Sequence, residues 1–551
     1  RGARVRGMAE GAAGHDGSPA QHNRASSRRR GRPAVTCVLT EEVLRGTNTV
    51  TLLSGCGRRL RSTAGGLGAV ASEADDDFAR SFPAMELDIF LSHSWHASWR
   101  LKYISLLFYF NIDAASVLGM CAGIACYLVR HQRQQQQPHH PVACSELGRG
   151  QACDVELWSF LVGGGTFLAV LFSWHGVAAL LPRRWGGRVL FLDKVCIHQT
   201  DARLKEEGIK SIGAILGNTR TVLVAWDATY FTRLWCTYEL SAFQFARPEG
   251  RLVIMPVELG GFTATLYVLS TMHVAARCFI NQRVELEIGM SCAVLPLLLM
   301  MTQVRKYLQD LMALDKQLKD FSVRHARCFC CDNGHVHPLT GRIMLCDRKL
   351  VYASIAHWHG GGDTEAGLNA FDAKVRVSLR RDVVRSLGRF ARMPYLHAVA
   401  VGLPPFLQKL DFQFRCPLRS SLMVAFSDML LGYPACVALL LHLIRLGAER
   451  RATRCGELLV ELRLTAACCL AMLAFWRATF FVMLESQGNA LALTWIAVQL
   501  LLVWYLYFSG RRSGLACDGV GEVELPAVAG GEKAAEGEAA EEAGEAQASS
   551  G

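Results

Sequence analysis

Residues 1 to 35 lack the apolar core that a secretory leader needs, so none is expected there; the chain opens on Arg1, which leaves a segment ahead of it open. Charge is also scarce: 19% of the 551 residues are charged and 51% are apolar. That balance tilts the chain towards a membrane, and its length allows a soluble domain beside a membrane region. Neither the Arg-rich head nor the Glu-rich tail is interleaved with aromatics or set on a nucleic-acid fold, so no nucleic-acid partner is expected. The net charge of +11 reads instead as flanking charge on the cytosolic side of spans. Cysteine, by contrast, is plentiful at twenty residues. Most of these lie in apolar runs, such as Cys468 and Cys469, or in an α/β stretch, such as Cys196 and Cys236. Buried cysteine acts as a small hydrophobe, which points to reduced thiols.

Residues 1–80 carry Gly, Ala, Ser and Arg without a sustained period and read as disordered. At 86–100 the run ELDIFLSHSW reads as a buried strand and a loop. Residues 101–182 read as a transmembrane hairpin, with spans at Tyr103–Val129 and Leu157–Leu181. Asn111 and Asp113 interrupt the first span, which places its start near Ala114. Arg100, Lys102, Arg183, Arg184 and Arg188 put both outer ends in the cytosol, and the loop between the spans carries Cys144 and Cys153, the best disulfide candidates. Two spans return the chain to its starting side, so the strand at Leu87–Leu91 can join a cytosolic sheet built from 183–259.

Further along, 262–303 reads as a second hairpin (Phe262–Ile280 and Ile288–Met301) and 304–393 as a cytosolic connector ending in an amphipathic helix for a membrane or a partner. Residues 394–508 hold further spans, with Pro394–Leu407 deciding between seven and eight in all. Asp428 and Arg477 fall inside two of them and are expected to pair. A channel or transporter regulated by the soluble domain rests on these two residues. Residues 511–551 form a low-complexity acidic tail, read as disordered.

The stretch 183–259 reads as strand, helix, strand, helix, strand, and Asp193, Cys196, His198, Trp235, Cys236 and Glu239 fall where strands end. Open α/β sheets bind ligands at the carboxyl ends of their strands. Glu239 is the sharpest candidate, set just after a strand and a short loop at a helix start, where the dipole favours a carboxylate. A simple helix-start charge explains it equally well when it is taken alone. Cys196 and His198 share a strand without a third group to orient them, so a nucleophile pair is not expected.

Four pieces come in a fixed order: DIFLSHSW at Asp88–Trp95, FLDKVCIHQTDARLKEEGI at Phe191–Ile209, TYFTRLWCTYEL at Thr229–Leu240 and RLVIMPVEL at Arg251–Leu259. This order resembles the boxes of a Toll/interleukin-1 receptor (TIR) domain, and the third piece is the most specific. The layout is also similar to that of multi-pass proteins of unicellular algae. The resemblance implies a flavodoxin-like parallel sheet, here split by the hairpin, so the fold class is α/β plus all-α membrane. In catalytic members the glutamate after the Trp-Cys pair serves NAD cleavage, so Glu239 would stabilise the developing oxocarbenium. His93, Ser94, Trp95, Asp193 and Trp235 would face the same pocket. NAD is then the expected substrate, with membrane lipid and self-association or protein docking as the partner classes. A non-catalytic interaction module is the alternative, since many TIR domains only bind one another.

Cys328, Cys330, Cys331, His335, His337 and Cys346 are dense enough for zinc, but their spacing matches none of the standard paired-ligand forms. They read equally as reduced juxtamembrane thiols open to acylation, and no metal is assigned.

Overall fold

The computed structural model describes residues 43–61, 76–136, 157–182, 187–279, 285–336, 346–359, 361–383, 393–412, 425–448, 453–480 and 489–508, with 341, 343 and 344. Cys144, Cys153, His337 and the acidic tail lie outside them.

At the centre is a four-stranded parallel sheet of β3 (Leu87–His93), β4 (Leu190–Phe191), β5 (Thr219–Trp226) and β6 (Arg251–Pro256), in the spatial order β4-β3-β5-β6. Counted within the sheet this is 2-1-3-4, an order shared with doubly wound sheets, whose direction reverses between β3 and β5. Leu87, Ile89, Phe90 and Leu91 are all buried. Such a run, apolar on both faces, is what a parallel strand covered on both sides requires. The β3 strand is separated from β4 by two long helices, α2 (Trp99–Gln136) and α3 (Trp158–Leu180). The hairpin is therefore inserted between the first and second strands of one sheet.

Residues 43–61 differ from the disorder expected over 1–80. They form β1 (Arg45–Gly46) and α1 (Thr49–Gly57), and β1 pairs with β2 (Phe82–Pro83). Asn48 caps α1 by accepting from the Thr51 N–H at 2.8 Å, and Leu52 and Leu53 bury into the core. The Thr47 N–H donates to the Leu190 carbonyl at 2.7 Å, so this segment covers the open edge of β4. The apolar content lies in a few residues packed by tertiary contact, too short a run to show a period.

Helix α2 continues through Asn111 and Asp113 without a break. The Asn111 amide is fully buried and donates to the Leu171 carbonyl at 2.7 Å, while Asp113 faces outward. The amide nitrogen of a polar residue inside the hairpin thus bonds across the helix pair. A Cβ on Gly163 would lie 2.9 Å from the Gly119 carbonyl, so these glycines let the two backbones touch.

Between β4 and β6 stand α4 (Ala202–Lys210), α5 (Ile212–Gly217) and α6 (Leu234–Ala246). After β6 come α7 (Glu258–Phe279) and α8 (Glu285–Lys319). The two helices cover the segments expected as a second hairpin, and α8 runs on as one helix into the charged segment. There buried Arg305 pairs with Glu457 at 2.7 Å and Glu461 at 3.2 Å.

Helices α9 (Asp347–His359) and α10 (Thr364–Lys374) pack over α6, where Trp358 stacks on Tyr238 with ring centroids 5.4 Å apart. The amphipathic stretch that follows buries Val375, Leu379 and Val383, and Arg380 bonds Asp315 at 2.6 Å. Its apolar face, expected on a membrane or a partner, is spent inside the chain.

Helix α11 (Tyr395–Phe412) carries Pro404 and Pro405 and lies along the hairpin. His397 near its start meets Thr263 at 2.8 Å, and Asp411 at its end accepts from the Ser159 and Phe160 N–H groups at 2.9 and 3.0 Å. Asp411 thereby caps α3 and also pairs with Arg130 at 3.1 Å. Helices α12 (Tyr433–Leu446), α13 (Arg454–Phe480) and α14 (Asn489–Val503) complete the described chain.

Four described helices are long and apolar enough to cross a membrane: Trp99–Arg133, Trp158–Leu180, Ala425–Leu446 and Cys455–Phe475. Leu493–Phe508 is apolar but shorter.

Candidate functional site

The carboxyl ends of β3 and β5, where the sheet reverses direction, gather most of the polar residues singled out in the sequence. Ser92, the penultimate residue of β3, donates to Glu239 Oε2 at 2.5 Å. The Tyr230 hydroxyl lies 2.5 Å from the same Ser92 oxygen and 3.3 Å from the Cys236 carbonyl, so its one proton is shared between these two acceptors. A relay from Tyr230 through Ser92 to Glu239 thus crosses from the loop after β5 to the helix that follows it.

Glu239 lies in the second turn of α6, because the helix begins earlier than expected, at Leu234. The helix dipole therefore reaches it weakly. Burial dominates and pushes its carboxyl up to about 8, against the lowering effect of the Ser92 hydrogen bond.

His93 ends β3 and is buried, its imidazole kept neutral by burial and by the Lys102 charge. Its ring packs edge-on against Trp95, centroids 4.4 Å apart. The Trp95 indole donates to Asp193 Oδ2 at 3.1 Å, and the Lys194 N–H donates to Asp193 Oδ1 at 2.7 Å. Even so, burial raises the Asp193 carboxyl. Ser94 meets Thr229 at 3.1 Å, and Thr229 donates to Asp227 at 2.8 Å. Asp227 is likewise raised by burial. Lys102, in the first turn of α2, is fully buried and donates to the Ser94 carbonyl at 3.1 Å. The start of the first long helix is thus built into the sheet's carboxyl edge.

Five of the six expected residues therefore meet at this edge: Glu239, His93, Ser94, Trp95 and Asp193. Trp235 does not. Its indole donates to Asp347 Oδ2 at 3.1 Å at the start of α9. Trp235 and Glu239 are four residues apart and so share a face of α6, but Trp235 lies a turn nearer the helix start, where the chain around Asp347 takes up its indole.

Ser92 and Asp227 join the site without having been singled out, Tyr230 only as part of the third TIR-like piece and Lys102 only as charge flanking a span. Ser92 and Ser94 in LSHS, two residues apart at a strand end, were the available signal for the first of them. Cys196 is buried with its thiol raised to about 12, and burial raises Cys236 as well. Neither is a thiolate at neutral pH, and His198 sits apart from Cys196, accepting from the Asp201 N–H at 3.1 Å.

Of the twelve buried side-chain atoms without a hydrogen-bond partner among the described residues, most are scattered through the helices, and His93 Nε2, Trp226 Nε1 and Asp227 Oδ1 fall together. All three belong to the carboxyl ends of β3 and β5. Buried polar groups are ordinarily satisfied, and a group of orphans at one edge is what a ligand site presents.

Two further polar groups were expected from the sequence. Asp428 is paired with Lys409 of α11, and the expected pairing with Arg477 falls on a side chain that lies outside the described part. Lys409 lies in a segment too broken by proline to read as a clean span. The thiols of the connector do come together, with Cys330, Cys331, His335 and Cys346 placing their ligand atoms within 4.8 Å of one another. No protein-family model, curated protein or solved structure matches this chain.

Proposed function

We propose that the parallel sheet is a TIR-like domain and that its carboxyl edge cleaves NAD, with Glu239 as the catalytic carboxylate. The observation that carries the reading is the Ser92–Glu239 hydrogen bond of 2.5 Å at the reversal point of the sheet. A carboxyl raised by burial beside orphaned donors and acceptors, at a strand edge, is a functional-site arrangement. Burial favours the protonated form of Glu239 before substrate binds; a cationic nicotinamide ribose draws it into the ionised form, its proton passing to solvent. As the C1′–N bond breaks, its electron pair leaves with neutral nicotinamide and positive charge develops on the ribose. The Glu239 carboxylate offsets that charge, and water then adds to C1′ and releases a proton.

By the flanking arginines, the domain faces the cytosol of a multi-pass membrane protein. Self-association through the domain would bring such sites together. The second reading, a non-catalytic docking module, draws on the same relay: Tyr230, Ser92 and Glu239 satisfy one another and would also serve as a structural tie. Nicotinamide release by the purified full-length chain separates the two. The enzyme reading expects turnover that Glu239→Ala removes, whereas equal rates near background would leave the docking module.

A further inference from the structure

We propose that Cys330, Cys331, His335 and Cys346 bind one zinc ion, and that this centre fixes the start of the helix that carries Glu239. Cys330 Sγ and Cys331 Sγ are 3.9 Å apart, Cys331 Sγ and Cys346 Sγ 3.9 Å, and Cys331 Sγ and His335 Nε2 3.7 Å. Around a tetrahedral zinc with Zn–S about 2.3 Å and Zn–N about 2.0 Å, the edges come to about 3.8 Å between sulfurs and about 3.6 Å between sulfur and nitrogen. Three edges of the ligand tetrahedron already have the length the metal needs.

The backbone is shaped for this grouping. Gly334 and His335 take φ of +59° and +60°, and for His335 the left-handed conformation is unfavourable. It is held by the His335 N–H donating to the Cys330 carbonyl at 2.7 Å and by the Met344 N–H donating to the His335 carbonyl at 2.8 Å. These bonds fold the chain back so that Cys346 reaches the ligands of the first turn. Strain held at a cluster of ligand-type side chains points to a site.

Outer groups suit a site of net negative charge. The Asp347 N–H donates to Cys330 Sγ at 3.3 Å, and the Arg348 guanidinium is a charged neighbour of Cys331. Neighbours of this kind orient ligating sulfurs, as second-shell groups do in metal centres. Soft sulfur with one imidazole selects zinc over hard cations. Binding transfers the three thiol protons to solvent and changes no oxidation state. A competing group, Cys328, Cys330 and Asp347, shares Cys330 but brings two sulfurs to 3.2 Å, closer than the tetrahedral edge.

The centre is tied directly to α6. The Arg327 N–H donates to the Thr232 carbonyl at 2.7 Å and the Leu234 N–H donates to the Arg327 carbonyl at 3.0 Å. On the far side of the cluster Asp347 accepts from the Trp235 indole. No side chain caps α6, so this neighbouring chain satisfies its first N–H.

The full-length chain, purified in detergent without chelator and supplied with zinc, should hold one zinc per chain by elemental analysis. Cys331→Ser and His335→Ala should lose it, Cys328→Ser should keep it, and Arg348→Ala should weaken it by about tenfold or more. Should the ligand variants fail to fold, cobalt(II) in the unaltered chain decides: thiolate charge-transfer and tetrahedral d–d absorption support the site. A chain that takes up neither metal overturns the proposal, as does zinc retained by both ligand variants. Zinc lost from Cys328→Ser would overturn the ligand set.

Discussion

Helix α6 adjoins two polar centres, one at the sheet edge and one at its start, and the two are built in opposite ways. At the sheet edge, Glu239, Ser92, Asp193 and Tyr230 come from four separate segments and are brought together only by the parallel order of the strands. At the helix start, Cys330, Cys331, His335 and Cys346 come from one short stretch that folds on itself. The first centre is oxygen-rich and hides a carboxyl that burial keeps protonated. The second is sulfur-rich and exposes part of its ligands. A carboxyl is moved across neutral pH by desolvation alone, whereas soft ligands need only to be placed at the right separation.

If the two centres are independent in chemistry and linked only through the first turn of α6, substitutions should sort cleanly. The largest contrast is expected between Glu239→Ala and Cys331→Ser. The former should cut nicotinamide release by about a hundredfold or more while metal content and melting temperature stay near the parent values. The latter should strip the metal. Loss of metal on changing Glu239 would merge the two centres into one.

Stability against pH gives the next largest effect. The Glu239 carboxyl is raised in the folded chain to about 8 from 4.5. Its contribution to stability is therefore fully present below pH 4.5 and is lost as pH rises towards about 8. In that window this one group should lower stability by about 1.4 kcal/mol per pH unit, and Glu239→Gln should remove that slope in denaturant titrations. A variant with the parent's slope would show that the carboxyl is solvated.

Smaller still, Trp235→Phe should remove the bond to Asp347 and lower stability by about 1 kcal/mol without changing nicotinamide release. A large loss of release would return Trp235 to the pocket. Ser92→Ala, the mildest change, removes the bond that opposes burial at Glu239, so the apparent pKa of nicotinamide release should move upward.

The difference between the centres also sets what the amino-acid sequence discloses. The strand at 87–93, the hairpin that interrupts the sheet and the position of Glu239 are legible because each is a run of residues with its own pattern. Ser92, Tyr230 and Lys102 are not, because a serine at a strand end, an aromatic in a loop and a lysine before a span look ordinary until the fold places them. Dense thiols at 328–346 are visible as a cluster, yet spacing along the chain hides which of them converge, since a left-handed turn at His335 sets the return path. The same limit applies to Asp428, whose partner lies on a proline-broken helix, and to 43–61, which pack against the edge of β4 and the hairpin. The stretch around Val375–Val383 shows the reverse: its amphipathic period is real, but the face it offers is covered by the chain itself.

The measurement that reaches the catalytic assignment most directly is nicotinamide release from NAD by the full-length chain, followed across pH beside Glu239→Ala. Release should rise with pH as the free-enzyme carboxyl ionises towards about 8 and should be near background at every pH in the variant. Equal rates in the two proteins would contradict the assignment of catalysis to Glu239.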